Sequence, residues 1–177
     1  VEVLTRGKDT ELVLPIIPVT IGVDPGSWSL GIALIEPDGR VKQTWAVRDS
    51  EPDYYTRLRL LCAYTYQVLL TIKKAYEPEK IQVIIESGIF KMKRHQAVVI
   101  ARLGEVRGMV MANAWRLGME TLLMAPCTWK TMLTVAEREM KKDKAYVAYW
   151  NAKLGMECRT EDEVDAAQIG RRFVIGK

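Results

Sequence analysis

Hydrophobic and polar positions along the chain alternate between two periods, and the switches between them mark the elements. Val19 to Val23 is a short β-branched run, broken by Asp24-Pro25-Gly26-Ser27. A second apolar run, Leu30 to Ile35, turns at Pro37-Asp38-Gly39 into a third, Val41 to Val47. Three strands in succession joined by tight turns predict an antiparallel meander. After Pro52 the period lengthens, and Leu58, Leu61, Cys62, Thr65, Val68, Leu69 and Ile72 share one helix face up to the Glu77-Pro78 stop. Ile81 to Ile85 is then apolar almost throughout, as in a strand buried on both faces. A strand reached through a helix usually runs parallel to an earlier one.

The remainder predicts a long helix from Met92 to Leu117, a strand at Glu120 to Met124, a short helical stretch at Thr128 to Leu133, and a helix from Lys144 to Leu154. A last helix begins at Thr160, where Thr160-x-x-Glu163 has the spacing of a capping box. This order predicts an α/β domain, a mixed sheet flanked by helices, over residues 19–177. Residues 1–18 mix charges with two prolines, show no sustained period, and read as an N-terminal extension.

A chain of 177 residues, 49% hydrophobic, has enough apolar side chains for one compact core. Lys and Arg exceed Asp and Glu by 26 to 22, a mild basic balance that suits a polyanion without identifying one. Cys62, Cys127 and Cys158 are far apart and odd in number, which predicts reduced, packed thiols rather than a zinc site or disulfides. No charged-then-apolar leader opens the sequence, and no apolar run reaches the ~20 residues of a bilayer span. The expected setting is therefore soluble and intracellular, in the cytoplasm.

Four carboxylates are candidates for chemistry. Asp24 closes a hydrophobic strand, a rigid mount for a metal ligand, although Asp-Pro-Gly-Ser equally suits an ordinary turn. Glu86 directly follows the apolar run Ile81–Ile85, where an unpaired charge is costly to bury, so it faces either solvent or a partner. Asp162 and Asp165 are three apart and share one helix face. Acidic residues also favour any first helical turn, and Glu161 and Glu163 are neighbours. Asp165 stands out because Val164, Ala167 and Ile169 surround it.

These signals are individually weak, but their order is that of the RNase H-like nucleases. The chain resembles RuvC-type Holliday junction resolvases in Ile21-Gly-Val-Asp-Pro-Gly-Ser27 and Gly31, in Ile84-Ile-Glu86, and in Leu103-Gly-Glu-Val-Arg-Gly108. Lys130, the Lys144 region and Asp162-x-x-Asp165-Ala166-Ala167 extend the match, which runs from about residue 19 to 175. The resemblance implies a homodimeric endonuclease that binds a four-way DNA junction and nicks two symmetry-related strands. Asp24, Glu86, Asp162 and Asp165 would be its metal ligands, with Glu161 an alternative to Asp162. Four converging carboxylates repel one another unless a cation intervenes, and oxygen ligands favour Mg2+ or Mn2+. Two such ions can activate water and stabilise the leaving oxygen of a phosphodiester.

The resemblance also gives Lys130 and Lys144 a phosphate-contacting role, with Lys141 or Lys142 able to replace Lys144. After Glu86, Phe90, Lys91, Lys93 and Arg94 combine cations with an aromatic residue near the expected metal site, a suitable DNA surface. The family carries a junction-entering aromatic here, a role for Phe90 or Met92. His95, the only histidine, cannot anchor a histidine-rich metal centre. Ala97, Ala101, Gly104, Gly108 and Ala112 form a small-residue stripe along one helix. Glycine costs a helix roughly 1 kcal/mol relative to alanine, so two of them predict close approach by the sheet or by a second subunit. The family dimerises through this helix. Trp115, Trp129, Trp150 and Tyr149 read as core or interface anchors.

Three other readings compete. An actin-like ATPase shares the opening strand, aspartate and turn, but its second Asp-x-Gly phosphate loop and glycine-rich adenosine segment are missing. A non-catalytic DNA-binding module would suit the basic stretches without using the four acids. Another RNase H-like nuclease or a transposase-type enzyme would share those acids.

Overall fold

The computed structural model describes residues 18–77, 80–88, 97–140 and 145–176. Three strands, β1 (Val19–Pro25), β2 (Ser29–Ile35) and β3 (Val41–Arg48), form the expected meander. Helix α1 (Tyr54–Ala75) leads to β4 (Ile81–Glu86), which pairs parallel to β1. Helix α2 (Ala97–Arg116) leads to β5 (Glu120–Met124), parallel to β4. The sheet order is β3-β2-β1-β4-β5, so β1 and β4 lie centrally. Four helices follow: α3 (Pro126–Lys130), α4 (Val135–Met140), α5 (Ala145–Leu154) and α6 (Glu161–Ile175).

Strand alternation sorts the core into two layers. Ile21 and Val23 of β1, Leu30 and Ile32 of β2, and Val83 and Ile85 of β4 pack with Leu61 and Leu69 of α1 and Val106 and Val110 of α2. On the opposite face, Ala33, Ile35 and Ile84 pack with Trp129, Tyr146, Trp150 and the α6 residues Val164, Ala167 and Ile169. Helix α6 lies close against the strands because Gly22 leaves room: a Cβ there would clash with the Ala166 carbonyl and stand 2.6 Å from the Gly170 nitrogen. The result is a three-layer α/β/α arrangement, with α1 and α2 on one side and α3, α5 and α6 on the other.

Helix α4 is an addition to the elements read from the pattern. Its start was nevertheless written in the chain, because Thr134-x-x-Glu137 repeats the capping spacing of Thr160-x-x-Glu163. Thr134 N–H donates to Glu137 Oε2 at 2.7 Å, and Glu137 N–H donates to Thr134 Oγ1 at 3.2 Å. Thr160 and Glu163 form the same reciprocal box at α6. Trp129 and Trp150 are core residues, whereas Trp115 is 59% exposed. Cys158 is buried and Cys62 half-buried, but Cys127 is exposed, so the expectation of packed thiols fails there. Cys127 follows Pro126 in the first turn of α3, with its side chain outside the core. No described helix is long and apolar enough to cross a membrane.

Glu137 fastens α4 to α5. Burial opposes its ionisation, but hydrogen bonds from Lys153, the Thr134 backbone and Tyr149 outweigh it and hold the carboxyl at about 2, below its ordinary 4.5. A depressed carboxyl stabilises the fold fully above its unfolded value and loses that contribution as pH falls toward its folded one. Denaturant unfolding between pH 2 and 4.5 should therefore show a rise in stability with pH that is smaller in Glu137→Gln. Equal rises in both proteins would remove Glu137 from this role.

Candidate active site

Alternation places Asp24 and Glu86 together. Val23 pairs with Ile85 and both face α1 and α2, so Asp24 and Glu86, the next residue on each strand, project to the α6 side. Both are the last acidic positions of central parallel strands, where a carboxylate has a rigid base. Asp24 pairs across the antiparallel ladder with Gly31, and a Cβ on Gly31 would clash with the Asp162 carbonyl. Glycine at 31 thus lets the first turn of α6 reach the strand end that carries Asp24. The capping box starts α6 at that point and puts Asp162 and Asp165 in its first two turns.

Each helix acid has a hydroxyl partner that the sequence pattern did not disclose. Ser29 Oγ donates to Asp162 Oδ2 at 2.5 Å, and Tyr146 Oη donates to Asp165 Oδ1 at 2.9 Å. Asp165 is 1% exposed and Tyr146 fully buried. Burial holds the Tyr146 proton in place far above the ordinary tyrosine range, and the charges of Asp165, Glu161 and Asp24 act in the same direction. The phenol is therefore a permanent donor near Asp24 as well as Asp165. Glu161 is exposed, whereas Asp162 is half-buried and bonded to Ser29.

Two cations face Glu86. Lys130 Nζ of α3 lies 3.9 Å from Glu86 Oε1. Arg107 of α2 packs against Gly88, where any Cβ would clash with its guanidinium. Burial pulls Arg107 below the ordinary arginine range, and the Glu86 charge opposes that shift. Arg107 belongs to the Leu103–Gly108 segment, but nothing in its spacing announced a place beside Glu86. Ser29 and Tyr146 were equally hidden, because nothing in the local pattern around either residue points to a distant acid.

The donors at this end are oxygen, the chemistry of a hard divalent cation. Among the described residues, no group of three or more His, Cys, Asp or Glu is gathered tightly enough to hold an ion as the side chains stand. The acids also lie outside the cavity of about 640 Å³ that β3 forms with residues 155–159. Phe90, Lys91, Lys93, Arg94, His95, Met92 and Lys144, with the alternatives Lys141 and Lys142, fall outside the described residues.

The central parallel pair, the flanking meander and the helix layers are those of the RNase H-like fold, here in its RuvC form. No family model matches the sequence, and no curated protein matches it. Solved structures do match. Thermus thermophilus RuvC in complex with a Holliday junction substrate is 21% identical, with a TM-score of 0.68 over 90% of this chain and 94% of that one. A second structure of Thermus thermophilus RuvC is 22% identical, with a TM-score of 0.65 over 89% and 96%. The yeast mitochondrial Holliday junction resolvase Ydc2 is 13% identical, with a TM-score of 0.51 over 89% and 78%.

Proposed function

We propose that residues 19–177 form one nuclease domain that cuts four-way DNA junctions with divalent metal, nicking symmetry-related strands. The observation that carries this reading is the placement of Asp24 and Glu86 on adjacent parallel strands, on the face to which Gly31 admits the Asp162–Asp165 turn of α6. Asp24, Glu86, Asp162 and Asp165 would hold magnesium or manganese, because four anions at one sheet end call for charge neutralisation and oxygen donors suit a hard cation. When bound, the metal supplies a water of lowered pKa and neutralises charge on the phosphate. The chain's own residues prepare that state: Ser29 and Tyr146 restrain the helix acids, while Lys130 balances Glu86 and can turn to a phosphate oxygen. Phe90, Lys91, Lys93, Arg94 and Lys144 remain the proposed DNA contacts. Likeness to a junction-bound RuvC and to Ydc2 supports branched DNA as the substrate. Such an enzyme acts inside the cell.

A symmetric double nick calls for two copies. On α2, Val98, Ala101, Gly104, Gly108, Ala112 and Trp115 are exposed, and among the described residues nothing lies within 4 Å of a Cβ built on Gly104 or Gly108. The sheet of the same chain is therefore not the neighbour that these glycines were expected to admit, which favours a second copy. Replacing both by leucine should shift sedimentation from dimer to monomer without loss of helix content. An unchanged mass would remove α2 from the interface.

The function is tested by offering the protein a four-way junction, the matching linear duplex and an RNA·DNA hybrid, each with magnesium and with chelator. Cutting of the junction alone, abolished by chelator, is expected. Equal cutting of the linear duplex would contradict junction selectivity, and preference for the hybrid would favour an RNA-cleaving relative.

A further inference from the structure

The loop between β1 and β2 displays an aromatic residue that the catalytic reading leaves unused. Trp28 is four residues beyond Asp24 and immediately precedes Ser29, whose hydroxyl holds Asp162. Its side chain is 53% exposed. Single exposed apolar residues are common and need no explanation by themselves. Trp28 differs because its position is built from beneath. Arg57 of α1, 1% exposed, stacks its guanidinium 3.6 Å from the centre of the indole. The same guanidinium donates from Nε to the Ser27 carbonyl at 2.9 Å and from Nη1 to the Glu51 carbonyl.

Both of these acceptors are neutral, and the guanidinium also lies 5.7 Å from the Tyr54 ring and feels the charge of Asp53, so a cation has been taken from water largely for backbone hydrogen bonds and contact with rings. Burial of a charge on those terms is expensive. What it secures is the loop: the Ser27 carbonyl is tied to Arg57, the Trp28 carbonyl accepts from Asp49 N–H at 3.2 Å, and Ser29 is tied to Asp162. A large exposed aromatic ring with one face fixed on a cation, in the loop that leaves the acidic strand end, has the make-up of a platform for single-stranded nucleic acid.

We propose that Trp28 is a stacking platform for a nucleobase of the DNA strand entering the acidic site, with Arg57 as the residue that positions it. This rests on the nuclease reading above. Unpaired bases near the branch point of a junction are chemically suited to it, because stacking on an aromatic face needs an exposed base but no particular sequence.

The test uses four-way junctions carrying single 2-aminopurine substitutions within a few nucleotides of the nick, bound in chelator to wild type, Trp28→Phe and Trp28→Leu. Phenylalanine keeps a stacking face, whereas leucine keeps only apolar bulk. In wild type and Trp28→Phe, a fluorescence change should appear at one or two positions on the entering strand. Trp28→Leu should lose that change and bind the junction roughly ten- to a hundredfold more weakly, the range usual for one base–aromatic stack. Thermal unfolding of the three proteins, run alongside, reports any effect on the fold. If Trp28→Leu gives the wild-type fluorescence pattern and affinity, or only unfolds earlier, Trp28 is merely a cover for Arg57 and the platform is refuted. If wild type neither binds nor cuts a junction, the nuclease reading fails first and the platform with it.

Discussion

Replacing Glu86 with glutamine should reduce single-turnover cutting of a four-way junction on the order of a thousandfold while junction binding in chelator stays within a few-fold. The variant preserves size and half-buried packing but removes one anion from the strand end shared with Asp24. A neutral amide is a poor substitute for a carboxylate toward a hard cation. Binding should survive because it depends on cations and surface rather than on this acid; indeed, Lys130 and Arg107, released from the Glu86 charge, would favour phosphate slightly more. Quench-flow or gel assays at saturating protein separate the two effects. Full cutting by Glu86→Gln would remove Glu86 from the chemistry.

Gly31→Ala should damage both fold and activity. The added methyl meets the Asp162 carbonyl and Glu163 nitrogen, backbone atoms that cannot rotate away as a flexible side chain can. Overpacking of this kind usually costs about 1–3 kcal/mol, which corresponds to roughly 2–12 °C in a domain of this size. Any relief must come from displacing the start of α6, and that displacement carries Asp162 and Asp165 away from Asp24. Cutting should therefore fall well below wild type even at temperatures where the variant is folded by circular dichroism. Lowered melting with undiminished cutting would mean that the seam is structural only.

Much of this arrangement was legible along the chain, for particular reasons. The change from period two to period 3.6 after Pro52 marked the passage from meander to helix, and unbroken apolarity from Ile81 to Ile85 marked a central strand. An acid at the end of each of two such runs then drew attention to Asp24 and Glu86. Long-range partners had no such signal: Ser29 and Asp162 are 133 positions apart, and Tyr146 and Asp165 are 19 apart. The seating of α6 on β1 and β2 brings the first pair together, and the packing of α5 against α6 the second. Gly104 and Gly108 stood for close packing of unspecified origin until the fold left their face open. Helix α4 was missed for a different reason, since Thr134-x-x-Glu137 carried the same signal as Thr160-x-x-Glu163 and its short apolar pattern concealed it.

Strand-resolved mapping of nicks in a four-way junction, with each of the four strands labelled in turn, bears most directly on the four acids as one junction-cutting site. With magnesium, nicks are expected on two opposed strands at symmetry-related positions, and none with chelator. Nicks scattered over all four strands, or cutting that persists in chelator, would contradict it.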